Sequence, residues 1–178
     1  MPETALTDPF NCISSDKSAM NVHLMVDAAS IDAGTSRAAR GRLHISLGGA
    51  DFQSSDWSDF VVVVLGWWLR AVYNLTGGDR KREIVNFMDG PYSVEIEKEA
   101  DGILRFRALT GDGRRNVVVE AVRDAASFAC DLLKTTKAVV TACKENGWTS
   151  LDLDELQSAV GALERALSMH QFFDDRPK

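Results

Sequence analysis

Three histidines, three cysteines and a scatter of carboxylates are the groups in this chain with types suited to chemistry. A metal site needs three or four of them converging. His23 and His44 fall on the polar positions of two alternating segments, and His170 lies near the end of the chain. If those segments pair, His23, His44 and Asp27 approach one another, but solvated surface histidines are the ordinary case. No metal and no cofactor is therefore expected. Cys12, Cys130 and Cys143 form an odd set without CxxC spacing. Cys130 and Cys143 share one expected helix, too far apart along it to bridge, at apolar positions where a thiol behaves as a small hydrophobe. Reduced thiols of this kind point to a cytoplasmic home. No GxSxG, HExxH, P-loop or dinucleotide glycine pattern occurs.

The carboxylates remain. Asp89 and Tyr92 flank a turn and could place an acid and a hydroxyl at a cleft with His44, although Asp-Gly is ordinary turn chemistry. Tyr92 opposite Phe87 reads rather as a core aromatic with a wet tip. Asp51, Asp56 and Asp59 gather at the start of a central helix, as Asp152, Asp154 and Glu155 do at the last one, where the helix dipole favours negative charge. What exceeds that need forms an acidic patch able to steer a basic partner. The formal charge of -6 and pI near 5.1 lack the basic field that nucleic-acid binding requires.

The elements that must position these groups follow from periodicity. With 178 residues, 45% hydrophobic, the chain suits one domain over residues 21–173, preceded by a flexible lead-in at 1–20 without a signal-peptide pattern. The longest apolar run, Phe60 to Leu69, falls well short of the roughly 20 residues that cross a membrane. Val22, Leu24 and Val26 alternate with polar residues, as do Leu43, Ile45 and Leu47, which predicts two strands joined by a long loop, Ser30 to Gly41. Ser54-Ser55-Asp56 predicts a helix beginning about Trp57 and ending at Gly77-Gly78. That helix is apolar nearly all round: Val61, Val64, Trp68, Val72 and Leu75 form one stripe, and Phe60, Val63 and Trp67 another. It needs cover on more than one side, from its own domain or from a homodimer through Phe60, Val63 and Trp67.

A turn at Asp89-Gly90 pairs Val85 with Val94 and Asn86 with Ser93. A three-residue loop, Ala100-Asp101-Gly102 with Gly102 left-handed, then pairs Ile96 with Phe106 and sets Glu97 against Arg105 and Glu95 against Arg107. Gly111-Asp112-Gly113 leads to a fourth strand, Asn116 to Glu120. Helical periodicity runs from Val122 to Gly147. A second amphipathic helix carries Leu153, Leu156, Val160, Leu163 and Leu167, with Asp152 and Glu155 at capping-box spacing and an antiparallel path beside the first. The expectation is an α+β fold: a mainly antiparallel sheet of two N-terminal strands plus a four-stranded meander, with three helices on one face.

The Trp67-Trp68 helix, the Asn86-Phe87-Met88-Asp89-Gly90-Pro91-Tyr92 turn, the meander and the closing helices together resemble the small α+β immunity proteins encoded beside bacterial polymorphic toxins. The resemblance spans roughly residues 20 to 170 in outline and rests on architecture, acidity and that one short motif. It implies a non-catalytic protein that binds a cognate toxin and blocks its active site or substrate entry, and it brings no catalytic residue with it. On this reading Asp51, Asp56, Asp59, Asp89 and Tyr92 are the candidate partner-binding residues. The alternative is a small enzyme or ligand-binding domain with a cleft near Asp89, Tyr92 and His44.

Overall fold

The structure, a computed structural model, describes residues 21–32, 38–111 and 116–174, with side chains to residue 168. The lead-in 1–20 and most of the Gly111-Asp112-Gly113 turn lie outside the described residues. The fold is α+β as expected, but its strands divide into two four-stranded antiparallel sheets instead of one.

In the first sheet β1 (Val22–Val26) pairs with β2 (Gly41–Leu47), Leu24 opposite Ile45. Their long connection is tightened at its base by a 3-10 turn at Ala28–Ser30 and a bridge between Asp32 and Arg40. Two short strands, β3 (Ala50–Phe52) and β4 (Ser58–Asp59), both lie along the other edge of β2. Here the structure corrects the expected helix start. Ser58 pairs with Arg42 and the Trp57 carbonyl accepts from Leu43 N at 2.9 Å, so α1 begins only at Val61 and runs to Thr76. Gly77 ends it as expected, its N–H donating to the Tyr73 carbonyl at 2.8 Å.

The second sheet is the expected meander: β5 (Arg82–Asn86), β6 (Tyr92–Lys98), β7 (Ile103–Thr110) and β8 (Asn116–Asp124). Its registers match the expected pairs, including Glu97 with Arg105 and Ile96 with Phe106, and Gly102 has φ 73°. The strand β8 runs past Glu120, so Val122 is a strand residue. The following helix, α2 (Ala125–Glu145), is capped by Asp124, whose carboxylate accepts from Ser127 N at 2.7 Å. Gly147, at φ 67°, closes it: Trp148 N reaches the Cys143 carbonyl and Gly147 N the Lys144 carbonyl, a double closure that satisfies two end carbonyls. The last helix, α3 (Leu151–Asp174), is capped by Ser150 Oγ, accepting from Leu153 N at 3.1 Å, and not by Asp152.

Alternation explains the layering. Val85, Val94, Ile96, Phe106 and Ala108 face inward onto the helices. Their neighbours on the outer face form an ion-pair lattice in which Arg107 meets Glu95, Glu97 and Glu120. The centre is built on Trp68, Phe128 and Phe106, with ring centroids 5.9 Å apart for the first two and 4.7 Å for the last two. The expected stripe of α3 is buried, and that helix packs most extensively along α1. Among the described residues, no helix is long and apolar enough to cross a membrane.

Candidate functional site

The expected site residues fall around a feature that periodicity does not announce: an excursion in the edge strand of the first sheet. Between the Ile45–Phe52 and Arg42–Ser58 pairs, Leu43 and His44 of β2 face Gln53, Ser54, Ser55, Asp56 and Trp57. The surplus residues loop outward. Gln53 turns the chain at φ 68°, a left-handed conformation that costs a residue with a Cβ on the order of 1 kcal/mol. Trp57 N returns to the Ser54 carbonyl at 2.8 Å, and Asp56 N reaches Ser54 Oγ at 3.2 Å. Both polar atoms of the Gln53 amide and the Trp57 indole nitrogen are buried without a hydrogen-bond partner, an arrangement that needs support from elsewhere.

The support comes from the second sheet. Tyr92 packs edge-on against Phe52 and Trp57, with centroids 5.5 and 5.1 Å away. The β5–β6 turn lies over them: a Cβ on Gly90 would stand 2.9 Å from the Tyr92 ring and 3.1 Å from Trp57, and Gly90 has φ 76°. Only glycine fits there. Asp89 is ion-paired with Arg40, which also donates to the Ser58 carbonyl at 3.2 Å and lies 4.5 Å over the Phe60 ring. Asp59 is fully buried; its carboxylate accepts from Phe60 N at 2.7 Å and from Met88 N at 3.0 Å. It cannot meet a partner, because both oxygens pin α1 and the turn together.

The other expected residues lie around this joint. Asp51 is half-exposed, 3.8 Å from His44 Nε2. Asp56, at the tip, is 85% exposed and 3.9 Å from Arg42. Arg42 binds Asp27 more closely, and that hydrogen bond holds the Asp27 carboxyl below the usual carboxylate range. The patch is therefore mixed rather than purely acidic: Asp89 faces Arg40, Asp27 and Asp56 face Arg42, and Asp51 faces His44.

The three residues of the alternative cleft each have other partners. Asp89 is held by Arg40, His44 by Asp51 and Tyr92 by two aromatic rings, and no hydrogen bond or ion pair among the described residues joins the three. His23, His44 and Asp27 likewise take separate partners: His23 lies 3.3 Å from Arg123, where burial, reinforced by that guanidinium and opposed by Asp131, lowers its pKa. No group of three metal-ligating side chains gathers among the described residues. Phe60 lies under Arg40, apart from Val63 and Trp67, which line a small cleft between α1 and α3. Cys143 is a free, buried thiol with its pKa pushed up by desolvation, whereas Cys130 is disulfide-bonded, contrary to a set of reduced thiols.

Gln53, Trp57 and Arg40 are the residues that the sequence reading missed. One signal was available: Leu47-Gly48-Gly49-Ala50 is a Gly-Gly hairpin sequence, and both glycines adopt positive φ. What the arrangement offers is recognition: a braced loop carrying the exposed Ser54, Ser55 and Asp56. No protein-family model matches the chain, and neither curated proteins nor solved structures provide a match.

Proposed function

We propose that this is a non-catalytic protein-binding domain of the immunity type, which neutralises a cognate bacterial toxin by direct binding. The observation that carries the reading is the braced excursion from Gln53 to Trp57. A loop held in a strained left-handed conformation by two aromatic contacts is pre-organised, which reduces the ordering cost of binding. Asp56 and the half-exposed Asp51 and Asp89 sit around it, and the acidic balance of the whole chain favours encounter with a basic protein over nucleic acid. The separate partners of Asp89, His44 and Tyr92 favour the binding reading over a small enzyme. A cytoplasmic location rested on reduced thiols, and the disulfide at Cys130 removes that ground.

The test is to look for a toxin domain encoded beside this gene and to co-express the two. The wild type should restore growth, and Ser55→Arg and Asp56→Arg should abolish rescue while leaving the melting temperature unchanged. Association with the purified toxin should slow in high salt. Rescue undiminished in both variants would remove the excursion as the binding surface; turnover of a small molecule without any protein partner would overturn the function.

A further inference from the structure

Away from that joint, α1 and α3 enclose a cleft of about 580 Å³, lined on the α1 side by Leu69, Arg70 and Tyr73. Leu151, Asp154, Glu155, Ala159 and Ala162 line the α3 side. Arg70, Glu155 and Ala159 also line the smaller adjoining cleft with Val63 and Trp67. Two features mark this face. Leu151 is 81% exposed and Tyr73 41%, so large apolar groups stand in solvent at the rim. In addition, Arg70 and the carboxylates of Asp152, Asp154 and Glu155 share the two clefts yet form no ion pair among the described residues. On the meander, by contrast, Arg82, Arg105 and Arg107 each meet two or more glutamates.

We propose that this α1/α3 face is where a second copy of the chain docks about a two-fold axis, Arg70 of each copy meeting Glu155 and Asp154 of the other. The charge pattern selects this occupant. A basic helix would answer the carboxylates but leave Arg70 against like charge, and an acidic one would do the reverse. A two-fold contact answers both signs with one surface, because residue i meets j and j meets i. It also gives each exposed Leu151 an apolar cleft to enter. Since each copy carries a formal charge of -6, the local pairs act against a general repulsion, and the contact is sensitive to ionic strength.

The experiment is sedimentation equilibrium on the wild type, Arg70→Glu, Glu155→Arg and an equimolar mixture of the two variants. Both side chains are exposed, and circular dichroism and melting temperature are to be measured to check that each variant folds. The wild type should be a dimer. Each reversal should weaken association at least about tenfold, since both symmetry-related pairs become like-charged. The mixture should recover the dimer. In the mixed pair one variant presents two acidic groups at these positions and the other two basic ones, so both symmetry-related contacts are again between opposite charges. A monomeric wild type overturns the proposal, including one whose cleft binds a different protein. So does a dimer indifferent to both reversals, or a mixture that fails to recover.

Discussion

Asp59 looks from sequence like one more helix-start acid, yet it is the most deeply placed carboxylate among the described residues. Its two oxygens satisfy the Phe60 and Met88 N–H groups, so removing it leaves two part-buried donors without their partner. Asp59→Ala should cost about 2–4 kcal/mol by urea denaturation, from one unsatisfied donor at about 1–3 kcal/mol and part of a second. Asp56→Ala, at an exposed tip, should lie within about 0.5 kcal/mol of wild type. Equal losses at the two positions would contradict this assignment. The two turn glycines separate in the same way. At Gly102 a Cβ meets nothing within 4 Å, so Gly102→Val should cost about 1 kcal/mol or more from backbone conformation alone. At Gly90 the same atom also strikes Tyr92 and Trp57, so Gly90→Ala should destabilise despite its smaller side chain. Gly102 was legible because a wrong loop length sets Glu97 beside Phe106. Gln53 was not, because nothing about a glutamine announces a left-handed backbone.

Among the elements, α1 shows where local signals yield. Ser54-Ser55-Asp56 has the residue types of an N-cap, but Leu43 has an unpaired edge and takes the Trp57 carbonyl. Strand pairing outweighs a cap worth about 1 kcal/mol, and the helix starts later. Its interior follows the sequence closely. Trp68 is fully buried against Phe128, and Trp68→Ala should cost about 3–5 kcal/mol, measured by thermal or urea unfolding. Trp67 is only partly buried against the core, so its loss should cost less than that of Trp68. Between Val62 and Leu69, Gly66 is a helical glycine whose added Cβ would meet nothing within 4 Å. Gly66→Ala should therefore stabilise by about 0.5–1 kcal/mol, raising the melting temperature by roughly 1–4 °C. A fall instead would show that α1 has a neighbour at that position. The meander was the most legible element because its two faces check each other: a register that buries Ile96 against Phe106 also pairs Glu97 with Arg105.

At the scale of the molecule, what sequence could not supply is the joint between the two sheets. Arg40 and Asp89 are 49 residues apart, and no local pattern brings them together. The charged lattice, by contrast, is a product of register, and it fixes the direction of the pH response. Hydrogen bonds from Arg82 and Arg107 lower the pKa of Glu97, those from Arg107 and Arg105 lower that of Glu120, and Arg42 lowers Asp27. Each folded value lies below the unfolded one, so their stabilisation is present above the ordinary value of 4.5 for the glutamates and 3.8 for Asp27. It is lost as pH falls through the folded values, because the unfolded chain then binds more protons. His23 has the same sign: burial lowers its pKa from 6.5, so protonation of the unfolded chain destabilises the fold as pH drops below that value. Stability should thus rise with pH from the acid range to neutrality in two limbs of different origin. The carboxylate limb comes from exposed pairs and should flatten in about 1 M salt, and also in Glu120→Gln at low salt. The limb near 6.5 comes chiefly from burial, so it should survive salt and disappear in His23→Gln. Urea midpoints across this pH range, at low and high ionic strength, measure both. A carboxylate limb indifferent to salt, or a maximum of stability below pH 4.5, would refute the assignment of these pairs as the origin of the acid response.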